Sequence, residues 1–170
     1  MWKGVVIGFV LAVVVFAVGA YVCFGFGLAP VGTASQPMPF EKFLANRALH
    51  AAIGKAGDKP SPVDASEPNL KRGAKVYHDD CAVCHGLPGQ ADTDIAKGMF
   101  PKPPQLFRGK GVTDDPVGET FWKVQNGIRL SGMPSFKDSI MEQEMWQVSQ
   151  LLANADKLPE SVQNELKRKQ

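Results

Sequence analysis

The sequence predicts an all-α protein, one long apolar helix followed by a small helical domain, and three observations carry that prediction. Residues 5–29 run without a charge or a proline. Downstream, apolar residues recur at helical spacing, and nothing alternates with period two long enough to make a strand. Cys81-Ala82-Val83-Cys84-His85 then sets two thiols and an imidazole within one helical turn's reach, in a chain whose third cysteine, Cys23, lies far upstream.

At about 1.5 Å per helical residue the apolar run reaches roughly 37 Å, more than the ~30 Å hydrocarbon layer. It can therefore cross a membrane with some tilt. A cleaved signal peptide is the competing reading, but its apolar centre is usually only about 7 to 15 residues long. Pro30 also sits badly just after the cut that Gly27-Leu28-Ala29 offers, although a cut after Ala34 stays open. Cys23 follows Ala20-Tyr21-Val22, which lacks the residues expected before a lipidated cysteine, so it reads as a small apolar side chain. Lys3 is the single charge before Glu41, and the 170 residues carry 19 basic against 17 acidic side chains, a net +2. That balance excludes a dedicated nucleic-acid binder. Three cysteines exclude a disulfide scaffold.

Residues 31–39 hold Gly32, Pro37 and Pro39 and read as a linker. A helix is expected from Pro39 to about Gly54, with Phe40, Phe43, Leu44, Ala48, Ala51 and Ala52 at helical spacing; a stalk and a packed extension are both open. Pro60, Pro62 and Pro68 make residues 55–68 a second linker, and the compact domain is expected to begin near Asn69. Asn69 is the expected cap of a helix carrying Leu70, Gly73, Ala74 and Tyr77. Asp115 before Pro116 starts another, with Val117, Phe121 and Val124 on one face until Gly127 stops it. Ser139 with Glu142 reads as a capping box ahead of Met141, Met145, Trp146, Val148, Leu151 and Leu152. The tail spaces Leu158, Val162 and Leu166 four apart but ends Lys167-Arg168-Lys169-Gln170, which predicts a solvated helix or a frayed end. The expected division is an anchor over residues 1–30, a linker with a short helix over 31–68, a compact domain over 69–155 and a charged tail over 156–170.

In a helical turn Cys81 and Cys84 stand at i and i+3 and His85 at i+4, so both sulfurs and the imidazole project to one side. The C-x-x-C-H pattern is that of c-type haem attachment, two thioethers fixing the porphyrin edge while the imidazole ligates iron. Structural zinc needs four ligands, and His78 and distant His50 do not supply a second cluster. A thioredoxin-like dithiol expects a βαβ setting that this chain lacks.

Such a haem needs its sixth ligand identified. Met38 lies in the linker, and Met141 and Met145 belong to the apolar stripe of the last helix. Met133, in Ser131-Gly132-Met133-Pro134, occupies a loop that Gly132 and Pro134 keep from being helical, between two signalled helices. It is preferred over Met99, only 14 residues past His85. His50 and His78 read as surface residues.

At this point the sequence resembles the class I cytochromes c, specifically their membrane-anchored bacterial monohaem members. The resemblance covers roughly residues 69–154. It rests on Gly73 and Tyr77, on Cys81-Ala82-Val83-Cys84-His85-Gly86, and on Phe100-Pro101-Lys102-Pro103-Pro104-Gln105-Leu106. Asn126-Gly127-Ile128-Arg129, Gly132-Met133-Pro134 and Trp146 complete it. It implies an all-α class I cytochrome c domain around one covalent haem c, whose first and last helices cross at Gly73 and Trp146. It also implies haem on the outer, periplasmic side of the cytoplasmic membrane, and a proline carbonyl, Pro103 or Pro104, accepting the second ring N–H of His85. Arg129 and Trp122 are family-style candidates for the propionates, and equally ordinary as a surface Arg and a core Trp.

The expected function is a membrane-tethered carrier, not an enzyme, that moves single electrons between redox partner proteins. Its cofactor-binding residues are Cys81, Cys84, His85 and Met133, with His85 and Met133 as the iron ligands; neither a nucleic acid nor a small-molecule substrate is expected. The rival is a haem that senses or turns over a small ligand after Met133 dissociates. Between His85 and Ser135 six basic residues stand against five acidic ones, too even to specify a partner's charge.

Overall fold

The computed structural model describes residues 2–108 and 113–168. Met1 and the last two residues of the basic run, Lys169 and Gln170, lie outside them. The contacts divide the chain in two between Glu41 and Lys42.

The first unit is built on α1 (Trp2–Gly25), a 24-residue helix that buries none of its side chains in the protein and is long and apolar enough to cross a membrane. It starts three residues before the apolar run and ends four residues short of Ala29. Gly25 and Gly27 explain the early stop: Gly27 takes φ +72°, and the N–H groups of Leu28 and Ala29 both turn back to the Cys23 carbonyl at 3.0 and 3.1 Å.

The second unit holds α2 (Glu41–Ile53), a 3-10 turn (Gly54–Asp58), α3 (Glu67–Val76), a π turn (Tyr77–Cys81), α4 (Ala82–His85), α5 (Asp94–Gly98), α6 (Val117–Asn126), α7 (Glu142–Ala153) and α8 (Glu160–Leu166). Among the described residues no strand occurs; one isolated bridge pairs Ile128 with Met133. α2 matches the expected helix and buries Ile53 alone, leaving Phe43 and Leu44 exposed.

Three local expectations are corrected. α3 begins at Glu67, not after Asn69, because Pro68 is preset for a first helical turn and Ser66 holds the extended N-cap conformation. The Asn69 side chain is used tertiarily: its amide accepts from Gln147 Nε2 at 2.9 Å. The box ahead of α7 is formed by Glu144, whose carboxylate accepts the Met141 N–H at 3.3 Å, while Ser139 turns its hydroxyl to the Phe136 carbonyl. Met141 is thus the exposed N-cap and no part of the buried stripe.

The third correction is the tail. Leu158, Val162 and Leu166 are buried, and α8 packs on α3, tied by the Ser161 hydroxyl to Glu67 Oε1 at 2.5 Å. The four-residue spacing was an apolar face with a partner, and the cations beyond it do not undo about 1.5–3 kcal/mol for each buried aliphatic side chain.

The core forms where α3 crosses α7. A Cβ built on Gly73 would lie 2.3 Å from the Gln147 carbonyl oxygen, so only glycine lets the two backbones meet. Beside that crossing Trp146 stacks on Phe121 of α6, centroids 3.8 Å apart and planes 6° from parallel, with the Lys59 ammonium 5.3 Å from the indole centroid. α6 ends at Gly127 as its sequence requires.

Candidate haem site

The helical turn expected at the motif is present, and an unexpected π turn precedes it. α3 runs to Val76, the chain widens through Tyr77–Cys81, and Cys81 then caps the four-residue α4 that ends on His85. The widening is held from both ends. Tyr77 is buried, donates its hydroxyl to the Gly86 carbonyl at 2.7 Å, and meets the Phe107 ring edge-on at 4.9 Å. Burial pushes its phenol far above the usual tyrosine range, so it stays a donor. Thr93 adds a second tie, donating to the Val83 carbonyl at 2.8 Å while capping α5.

His85 Nδ1 donates to the Pro104 carbonyl at 2.8 Å, which chooses between the two prolines. A prolyl nitrogen has no proton, so this segment cannot fold its own carbonyls into a helix, and the Pro104 oxygen is left for a side chain. With Nδ1 used, Nε2 is the nitrogen available to a metal. Burial lowers the His85 pKa, against the opposing pull of Pro104, and so favours the neutral imidazole that ligates metals.

Cys81 packs against the core, and burial together with the Asp80 carboxylate pushes its thiol up to about 12. That is the reverse of the lowered pKa of a dithiol redox motif. Among the described residues no group of three His, Cys, Asp or Glu side chains is placed to hold a metal ion. The donor set therefore fits a haem: two adjacent thiols for thioethers, one oriented imidazole, and half-buried Leu87, Leu106, Phe107, Val117 and Phe136 packed on the core as apolar wall. Gln105 Nε2 is buried without a partner close to Gly86 and remains free to donate to a bound group.

Met133 comes from the loop between α6 and α7, and the loop is pinned. Gly127 takes φ +66° so that the Pro134–Ser135 peptide can pass over it; a Cβ there would lie 2.6 Å from the Ser135 nitrogen. The Ile128 N–H donates to the Met133 carbonyl at 3.1 Å, the Ser135 hydroxyl to the Gln125 carbonyl at 2.6 Å, and the Phe136 N–H to the Val124 carbonyl at 3.1 Å. Met133 is half-buried against the core. Met99 reaches this same loop: its methyl would lie 2.7 Å from a Cβ on Gly132. Arg129 is exposed, His50 is exposed, and His78 sits 3.4 Å from Asp79. Sequence reasoning missed Tyr77 as the clamp of the motif and Gln105 as a buried donor; the one available signal was a glutamine set between Pro103-Pro104 and Leu106.

A helical fold that presents C-x-x-C-H with a carbonyl-held histidine defines a c-type cytochrome. Comparison with known families agrees: residues 68–152, half of the chain, match the family described as cytochrome c oxidase, cbb3-type, subunit III, and the chain belongs to this family of cytochrome c domains. Domains of this family carry covalent haem c and take part in haem-based electron transfer with redox partners. The chain is 31% identical over 91 residues to the quinohemoprotein alcohol dehydrogenase ADH IIB of Pseudomonas putida, a match covering 52% of this chain and 11% of that protein. It thus spans about a tenth of that relative's length. Among solved structures it is similar to the reducing HAO-like protein complex of Kuenenia stuttgartiensis, at 24% identity and a TM-score of 0.49, over 55% of this chain and 46% of the other.

Proposed function

We propose that the protein is a membrane-tethered monohaem carrier, not an enzyme, passing single electrons between redox partners outside the cytoplasmic membrane. In this reading α1 is the anchor, Cys81 and Cys84 would hold the haem, and His85 and Met133 would ligate its iron. When bound, the haem supplies an iron that cycles between Fe(III) and Fe(II). The observation that carries the reading is the His85–Pro104 hydrogen bond at 2.8 Å, which fixes one ring nitrogen and presents the other. The chain's residues otherwise act as a rigid frame. Tyr77 locks the motif's exit, the pinned loop after Gly127 holds the Met133 thioether, and half-buried apolar side chains exclude water. An iron held by two side chains of the protein would need no substrate.

The test is fractionation with haem staining. Membranes washed with salt and carbonate retain a protein that stains for haem on a denaturing gel. Cys81→Ala or Cys84→Ala loses most of the stain, while Cys23→Ala keeps it. Release of the haem protein into the soluble fraction overturns the tether, complete extraction of haem by acid acetone overturns the thioethers, and ready CO binding by the ferrous protein overturns the closed coordination shell.

A further inference from the structure

Residues 128–133 form a tip whose described hydrogen bonds stay inside it. The Ile128 N–H donates to the Met133 carbonyl at 3.1 Å, the Ser131 N–H to the Ile128 carbonyl at 3.2 Å, and the Met133 N–H to the Ser131 hydroxyl at 3.3 Å. Leu130 adds strain, because it holds φ +63° without being glycine, and its side chain is 92% exposed. A strained tip that shares no hydrogen bond with its surroundings belongs to the part of a domain that opens most readily.

A contact from a distant segment opposes that opening. Gly132 takes φ +77°, and a Cβ built on it would lie 2.7 Å from the Met99 methyl, so the thioether side chain packs directly on the glycine backbone. Met99 is itself anchored. It follows α5, its N–H donates to the Ala96 carbonyl at 3.4 Å, and Ala96 is buried. Thr93, the cap of α5, donates to the Val83 carbonyl at 2.8 Å, inside the C-x-x-C-H motif. The short helix therefore links the segment that carries His85 to the loop that carries Met133.

We propose that Met99 is a positioning residue: by packing on Gly132 it keeps the Met133 loop closed and so keeps small molecules off the iron. The inference rests on the reading of Met133 as an iron ligand. An external ligand enters only when the loop is open, so its apparent affinity is set by the open fraction, and a side chain that touches only the closed form lowers that fraction. An unbranched methionine suits the place, since it can follow the uneven surface above a glycine. Leucine keeps an apolar contact there, and alanine withdraws it.

The experiment titrates the full-length ferric haem protein with imidazole, whose nitrogen replaces the thioether sulfur on an iron that stays Fe(III). Met99→Ala is expected to bind imidazole about tenfold more tightly than the wild type, with haem stain and near-infrared band intact before imidazole is added. Met99→Leu is expected to bind as the wild type does. In a Met133→Ala background the loop no longer gates the iron, and adding Met99→Ala is expected to change the affinity by no more than about twofold. A readout that needs no external ligand is amide exchange at Ile128, expected to speed up by about tenfold in Met99→Ala and not in Met99→Leu. Wild-type affinity and exchange in Met99→Ala overturn the proposal. An equal gain in both backgrounds overturns it by showing that Met99 shapes the ligand's pocket and not the loop. Loss of the band in Met99→Ala alone overturns it by making Met99 the ligand. A band that survives Met133→Ala while Met99→Ala also keeps it strikes instead at the reading of Met133 on which the proposal rests.

Discussion

The Tyr77 hydroxyl donates to the Gly86 carbonyl at 2.7 Å, closing the π turn, both cysteines and His85 into one loop. This bond joins the end of α3 to the residue after the histidine, so the α3–α7 core and the haem motif are mechanically one piece. Tyr77→Phe keeps the ring against Phe107 and leaves a buried carbonyl unpaired, at a cost of about 1–3 kcal/mol. The expected outcome is a lower denaturation midpoint with haem still covalently attached. An unchanged midpoint would show that the bond holds nothing.

The ligand assignment separates two methionines that meet at one loop. Met133→Ala is expected to remove the weak near-infrared sulfur-to-iron band of the oxidised protein, lower the potential and open the iron to CO, while haem staining persists. Met99→Leu, which keeps an apolar contact on Gly132, is expected to leave band and potential in place. Visible and near-infrared spectra with a redox titration decide it, and a band that survives in Met133→Ala places the ligand elsewhere.

α8 is an integral part of the domain, and Leu166 is its test. It is 1% exposed, so Leu166→Ala should cost about 2–5 kcal/mol, whereas a solvated tail would tolerate it within about 0.5 kcal/mol. Chemical denaturation followed by tryptophan fluorescence measures the difference.

Acid should loosen the same contact. The Lys71 ammonium, joined by the Ser161 hydroxyl, holds the Glu67 carboxyl below its usual value. A carboxylate with a lowered folded-state pKa stabilises the fold above its unfolded pKa of about 4.3, and that contribution disappears as pH falls through the lower folded value. The denaturation midpoint is therefore expected to fall more steeply below about pH 4.3 in the wild type than in Glu67→Gln. Parallel curves for the two proteins would remove Glu67 from the acid response.

The sequence by itself determined the elements whose cause is local. A charge-free apolar run has one use for its backbone, so α1 was readable to within a few residues. C-x-x-C-H places its three donors by helical geometry alone, and Gly127 ends α6 because a left-handed residue was needed there. Tertiary structure decided whatever depended on a distant partner. Pro103 and Pro104 are chemically alike, and only the fold brings the Pro104 oxygen to a ring 19 residues away. The tail's apolar face gained its meaning from α3, and Asn69, inside a helix that starts at Glu67, gives its side chain to Gln147 instead of a cap. Spacing along a chain reports which side chains share a face; it carries no information about which other segment, brought near by the burial of the whole core, will cover that face.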